Sequence, residues 1–463
     1  MKTAIAEKTA THQLAEFVVN TRYQDLPAKA IQSVKNSTLD ALGAIAAGTA
    51  TSTGKVITGY VKSLGGNPQS TVIGAGFKTN APQAALANGT MGHALELDDY
   101  SRTIMSHPAN PLTSAILALG EIKGTTGKDA ILAWVMGWEV TAQTSKAVRH
   151  AILETGWHNQ GFQPALGAAA ACSKMMGFNV SQTRMTLGLA ASMCSGFHVN
   201  RGSDTKPFHA GNAARIGVTA AELIAQGFTA HEDILDGPIG FCRILGGEGG
   251  DPAKVLDGLG SWDLVNVGSS LKPYASCGGA HYAMDAIGDI LSRKRIAPQD
   301  VDEIECHVPP GVLHVLPYQH PQTGLEAKFS LEYCLTAMVL DGRGGVKQFF
   351  DNAVVRPEAQ AFMKRIKYVF LPGVPEGVRY IHENPHRVVV KLKNGERLEA
   401  STLYCKGTLQ NPQTQAEIAA KFHDCADVLL SERERNEVVS LTQGLEGIDN
   451  ISRIAKLMAG GKK

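Results

Sequence analysis

The sequence has no C-x-x-C pair, no nucleotide-binding fingerprint and no apolar run of membrane length, and each absence removes a class of function. Its eight cysteines (172, 194, 242, 277, 306, 334, 405 and 425) are scattered, offering neither a disulfide framework nor a zinc or iron–sulfur ligand set. The Gly-rich "GGEGGDP" at 246–252 follows no clear strand and lacks the G-x-G-x-x-G order. Lys128 and Lys462 follow glycines without the earlier glycine of a phosphate-binding loop. "PALGAAAACSKMMGF" is cut by Lys174 too early to cross a bilayer, and the opening "MKTAIAEKTATHQLAEF" lacks the apolar core of a secretory leader. A reduced, cytoplasmic chain is expected, working without metal or cofactor.

Charge is sparse and balanced. Only 19% of residues are Asp, Glu, Lys or Arg, and 44 basic side chains stand against 43 acidic ones, for a net charge of +1. That balance gives no broad attraction to nucleic acid or to an acidic membrane, so any preference for anions must be local. At 463 residues the chain exceeds the length at which a single core usually stops growing, and two domains are expected.

What is present is helical periodicity. After Pro27, Ile31, Val34, Leu39, Leu42 and Ile45 recur at mostly three- or four-residue steps, and similar windows follow up to about residue 265. "NAPQAALANGTMGHAL", "QPALGAAAACSKMMG" and "HAGNAARIGVTAAELIAQG" carry Ala, Gly and Ser where bulkier residues are usual, which lets helix axes approach closely. The texture changes near 268. "VDEIECHV" alternates, "YVFL" is a short β-type run, and Val388, Val390 and Leu392 lead into Asn394-Gly395 and out through Leu398, a hairpin signal. "GAHYAMDAIGDILSRK" and "LEYCLTAMVLDG" look helical, as does the tail after about 411. The expected fold is mainly α: a large all-α helical domain over 1–268, completed by 402–463, with a smaller α+β domain over 269–401 inserted in it.

One polar island interrupts the apolar texture. "HALELDDYSRTIMSHP" at 93–108 places His93, Glu96, Asp98, Asp99, Arg102 and His107 within sixteen positions. Asn88-Gly89 and Gly92 are poor helix-interior residues and Pro108 disfavours the helical region for His107, so the acidic run is expected to leave a helix end for an irregular loop. Alone, this stretch reads equally well as a solvated loop with one capping Asp. Three others tilt the balance: "ETGWHNQGFQP" with His158, "NRGSDTKPFHAGNAAR" with Lys206, and "SSLKPYASCGGAH" with Lys272, each a loop expected to precede an apolar helix. Lysines and helix N-termini both attract anions, and three such entrances suit a carboxylate or phosphate.

In this order, "HALELDDYS", "SHP", "GWHNQG", "TKPFHAGNAA", "LKPYASCGGAH" and "FSLEYCLTAMVLDG" make the chain similar to the MmgE/PrpD family of 2-methylcitrate dehydratases, cis-aconitate decarboxylases and iminodisuccinate epimerase-like proteins. The resemblance runs over nearly the whole chain. It implies a helical domain with an inserted α+β lid, usually as a homodimer, and an active site between domain and lid. Carried over residue by residue, it implies catalytic roles for His107, His158, Lys206, Lys272 and Tyr333. The family's acidic position falls on Glu96, where decarboxylase members tend to carry Asp. Tyr100 follows the paired acids where Thr is usual, one extra residue separates it from His107, and Tyr100 and Arg102 are expected to contact substrate.

Removing a proton next to a carboxylate builds charge on that carboxylate, which calls for cations there and a base near the carbon. Lys206, Lys272 and Arg102 can supply the first, and His107 suits the second because imidazole works in either direction near neutral pH. His158, Glu96 and Tyr333 suit positioning or protonation of a departing hydroxyl. The expected function is a cofactor-independent lyase acting on a di- or tricarboxylate, 2-methylcitrate dehydratase-like. Decarboxylation of a cis-aconitate type, epimerisation, and binding of a polycarboxylate without turnover remain open alternatives.

Overall fold

A computed structural model describes residues 8–148 and 151–460; residues 1–7, part of the stretch searched for a leader, lie outside it. The fold is mainly α. By internal packing the chain forms two compact units, one holding residues up to Ala94, Asp98–Ser269 and the chain from Gln415 onward, the other Leu95–Leu97 and Ser270–Thr414.

The first unit is built from helices whose apolar faces interlock through small side chains. Its main members are α1 (Ala28–Gly48), α2 (Ala81–His93), α3 (Ala109–Lys123), α4 (Gly127–Val148), α5 (Gln163–Met176) and α6 (Thr205–Ala225). The hairpin of β1 (Ser70–Val72) and β2 (Phe77–Thr79) is its strand component. Trp134 and Trp138, one turn apart on α4, are fully buried with ring centroids 5.4 Å apart. Among the described residues no helix is long and apolar enough to cross a membrane.

The second unit carries α7 (Gly278–Arg293) and α8 (Leu331–Asp341), with a four-stranded sheet of β3 (Val301–Val308), β4 (Ile366–Phe370), β5 (His386–Leu392) and β6 (Arg397–Thr402) in the order β4-β3-β5-β6. β3 pairs parallel with β4 and antiparallel with β5. The alternation in "VDEIECHV" has its physical counterpart here, since Val301, Ile304, Cys306 and Val308 are buried. β5 and β6 form a hairpin across Asn394-Gly395, with Gly395 at φ 89°, a left-handed conformation that glycine adopts without steric cost. The first unit then takes up the chain again as α9 (Gln415–Ala426), whose Phe422 and Cys425 pack on Gly43 of α1.

The acidic run leaves the end of α2 at His93 for an irregular loop, as expected, while the poor helix formers Asn88, Gly89 and Gly92 lie inside α2, where tertiary packing overrides their weak propensity. A Cβ on Gly89 would stand 2.7 Å from Gly211 Cα of α6, and one on Gly211 would stand 2.2 Å from the Leu86 carbonyl oxygen. Only glycine at both positions lets the two backbones touch.

Candidate active site

That close contact determines what the helix ends deliver. α2 ends at His93 and α6 begins with Thr205 and Lys206, so Lys206 lies in the first turn of the helix, with Pro207 beside it, rather than in a preceding loop. Lys206 Nζ is 2.9 Å from His93 Nε2. An ammonium can only donate, so Nε2 accepts, and the ring proton sits on Nδ1. Nδ1 lies 2.9 and 3.0 Å from the two carboxylate oxygens of Asp98. The side chains of His93 and Asp98 are fully buried.

The loop carrying His107 is pinned at several points. Gln160 clamps it with two backbone bonds, accepting from His107 N at 2.9 Å and donating to His107 O at 3.0 Å, and also accepts from the Ser106 hydroxyl. Asn159 donates to the Ile104 carbonyl at 3.0 Å, and Thr103 donates to Asp263 at 2.8 Å. Met105, at φ 54°, is held left-handed, a conformation costly for a side chain with a Cβ. The His107 ring is oriented by its Nδ1, which donates to the Asp99 carbonyl at 2.5 Å. A carbonyl cannot donate, so in the neutral ring Nε2 is the basic nitrogen.

His93 and His107 have ring centroids 4.5 Å apart, and Tyr100 meets His107 edge-on at 5.8 Å. His158 lies near enough to feel the Lys206 charge, its Nδ1 2.8 Å from Nδ1 of His209, one turn along α6 from the lysine. One of this pair must donate and the other accept, so their tautomers are complementary. Burial first, then the Lys206 charge and neighbouring imidazoles, holds His158 well below the usual histidine range. Burial likewise pushes His209 and His198 down to about 4. These three rings are neutral at pH 7.

Asp99 has a different job. It accepts from Ala109 N at 3.1 Å, at the start of α3, and from the Ser269 hydroxyl at 3.0 Å, so it caps a helix. Burial, with the Asp98 and Asp40 charges, raises its carboxyl well above the ordinary value.

In the second unit, Lys272 Nζ donates to the Glu96 carbonyl at 2.8 Å and lies 3.6 Å from the Glu96 carboxylate, both side chains being buried. Leu271 is held by Gly407 and by the Gln413 amide. Glu96 has φ 53°, a second non-glycine residue in the left-handed region. Tyr333 is fully buried on α8, donates its hydroxyl to the Gln348 carbonyl, and is raised by burial above its usual range.

The structure thus brings His107, His158 and Lys206 together in one unit, with Tyr100 at their edge, and Lys272 with Glu96 in the other. Arg102 is exposed. Sequence reasoning passed over His93 and Asp98 as members, although both lie in the polar island, and it passed over His209. The i, i+3 spacing of Lys206 and His209, which puts them on one helix face, was the available signal.

The ligating atoms of His93, Asp98 and His107 lie within 4.8 Å of one another, close enough to share a cation. The chemistry around them fits hydrogen bonding better. Both Nδ1 atoms serve as donors, and the Lys206 ammonium beside His93 repels a dication.

Cis-aconitate decarboxylase of Mus musculus is 26% identical over 464 residues, covering 98% of this chain and 94% of that protein. The Homo sapiens protein of the same name is 26% identical, covering 98% of this chain and 95% of its own length. The cis-aconitate decarboxylase-like protein oryM of Aspergillus oryzae is 25% identical, with 98% of each chain covered. Family models described as the MmgE/PrpD N-terminal and C-terminal domains match residues 12–252 and 274–445, most of the length, and the chain belongs to the MmgE/PrpD family.

Proposed function

We propose that this chain is a cytoplasmic lyase that removes a proton next to a carboxylate group of a di- or tricarboxylate, without metal or cofactor. The observation that carries the reading is the buried group of His107, His158, Lys206, His93 and His209, in which Lys206 Nζ lies 2.9 Å from His93 Nε2 and His158 is paired with His209. A substrate carboxylate that leaves water for such a buried group needs a cation to offset its desolvation, and the Lys206 ammonium supplies one. His107 serves as base or proton donor through Nε2, its other nitrogen being tied to the Asp99 carbonyl. Lys206 supports the charge that develops on the carboxylate, and His158, fixed by His209, orients the substrate or protonates a departing group. Lys272 with Glu96, Tyr333, Tyr100 and Arg102 complete the set of proposed site residues, acting in a homodimer. Eight cysteines without a disulfide suit a reducing compartment.

Dehydration of 2-methylcitrate is the reading we place first, and decarboxylation of cis-aconitate second, the latter favoured by the names of the relatives. Both pass through carbanion-like charge next to a carboxylate. The test is incubation with 2-methylcitrate, citrate, cis-aconitate and related acids in deuterium oxide. Loss of water, release of carbon dioxide and deuterium incorporation separate dehydratase, decarboxylase and epimerase. Binding of these acids with none of the three would leave a non-catalytic binder and sink the lyase reading.

A further inference from the structure

The loop that carries His107 is also tied, through Thr103, to a pair of buried carboxylates that the chemistry above leaves unused. We propose that Glu139 is a positioning residue for His107: acting through Asp263 and Thr103, it keeps the loop at 101–106 closed while it holds a proton and lets that loop open when the proton is given up. This deepens the reading of the same site and rests on the role given there to His107.

The connection runs through four contacts inside the helical unit. Glu139 is fully buried on α4, and its two carboxylate oxygens accept from Asp263 N at 3.0 Å and Leu264 N at 3.1 Å, so it caps the turn at 263–266. Asp263 is buried beside it, with one oxygen accepting from the Trp138 indole N–H at 3.2 Å and the other from the Thr103 hydroxyl at 2.8 Å. Trp138 and Glu139 are neighbours on α4, so one helix holds the turn by its backbone and by its side chain together. Thr103 passes that hold to the segment leading into His107.

A proton decides how firm the hold is. The hydrogen bonds to Glu139 come from two backbone N–H groups, and Gln143, one turn along the same face of α4 and equally buried, makes none with either atom of its amide. Among the charged groups acting on Glu139, Asp263 of the capped turn opposes ionisation, while Lys146 of its own helix, whose ammonium donates to the Asp257 carbonyl at 3.0 Å, favours it. Burial outweighs the opposing bonds and raises the carboxyl from 4.5 to about 7. A buried carboxylate gains hydration when the turn lifts away, and a neutral acid gains far less. The open turn returns the carboxyl to its ordinary value, so the preference for closure is complete below about pH 4.5 and is lost as pH rises through about 7. Lifting the turn carries Asp263 off Thr103, and the loop opens with it.

The test needs no substrate, so its failure would leave the lyase reading standing, and a protein without turnover would leave the latch standing. Hydrogen–deuterium exchange is followed by mass spectrometry on peptides covering 101–106 and 261–268 from pH 5 to 8, corrected for the intrinsic rate of each amide. The opening constants of both peptides should rise about tenfold to a hundredfold across that range. Glu139→Gln still offers a capping oxygen but has no proton to lose, and it should flatten both responses. Thr103→Val cuts only the tie between turn and loop: 261–268 should keep its pH response and 101–106 should lose it. This second variant decides the matter if the first folds poorly. Asp99, also raised by burial, stays in place in both variants, so a response that survives Glu139→Gln would belong to it and would overturn the proposal. A flat wild type, or a loop response that survives Thr103→Val, would overturn it equally.

Discussion

Two buried lysines, Lys206 and Lys272, are held by different chemistry in the two units. Lys272 meets a carbonyl and a carboxylate of the same residue, Glu96, and is neutralised where it stands. Lys206 donates to the His93 imidazole at 2.9 Å, with the His158 ring, held well below the usual histidine range, also nearby. The same side chain therefore meets a carboxylate in one place and an imidazole in the other. The contrast shows that two equally buried lysines can differ in the chemistry of the partner that holds them.

The largest effect expected from disturbing this arrangement is on turnover. His107→Ala should lower kcat about a hundredfold or more, with melting temperature and circular dichroism close to wild type, since the backbone clamp from Gln160 survives. Wild-type turnover in that variant would remove the imidazole from the mechanism.

Stability separates the two lysines. Lys272→Met strips the buried Glu96 carboxylate of its ammonium and should cost about 3 kcal/mol in urea unfolding. Lys206→Met removes the hydrogen bond to the His93 ring and should cost about 1 kcal/mol. Equal losses would erase the comparison.

A third measurement uses pH. Burial raises the Glu139 carboxyl from 4.5 to about 7, against the opposing bonds from Leu264 N and Asp263 N. The folded state thus holds its proton more tightly than the unfolded chain. That contribution is complete below about pH 4.5 and is lost as pH rises through about 7. Glu139→Gln should remove this slope, and the stability difference between wild type and variant should change by on the order of 3 kcal/mol across the window. A difference that does not vary with pH would mean the carboxyl titrates normally.

The smallest effect belongs to metal removal. Exhaustive chelation should leave turnover unchanged, and loss restored by a single metal would reassign His93, Asp98 and His107 as its ligands.

Much of this was legible in the sequence. The helical spacing and the hairpin at Asn394-Gly395 are local signals, and local signals survive into the fold. His107, His158 and Lys206 stood out because each is a polar residue set in an apolar or glycine-rich context. The pairing of Lys206 with His93 was not legible, since 113 positions separate them and the contact depends on two helices meeting at Gly89 and Gly211. Gly89 reads as a poor helix-interior residue because propensity is local, whereas the reason for it lies on another helix. Arg102 looked like a ligand by its neighbours in sequence, and it faces solvent.

The contact of Gly89 with Gly211 also limits how such a protein can diversify. Main-chain atoms do not mutate, so the spacing between the end of α2 and the start of α6 is inherited as a fixed quantity, and any side chain added at either glycine wedges the pair apart. A substitution that reshapes the surroundings of His93 and Lys206 must therefore act through side chains, because the distance between the two helix ends is set by main chain against main chain.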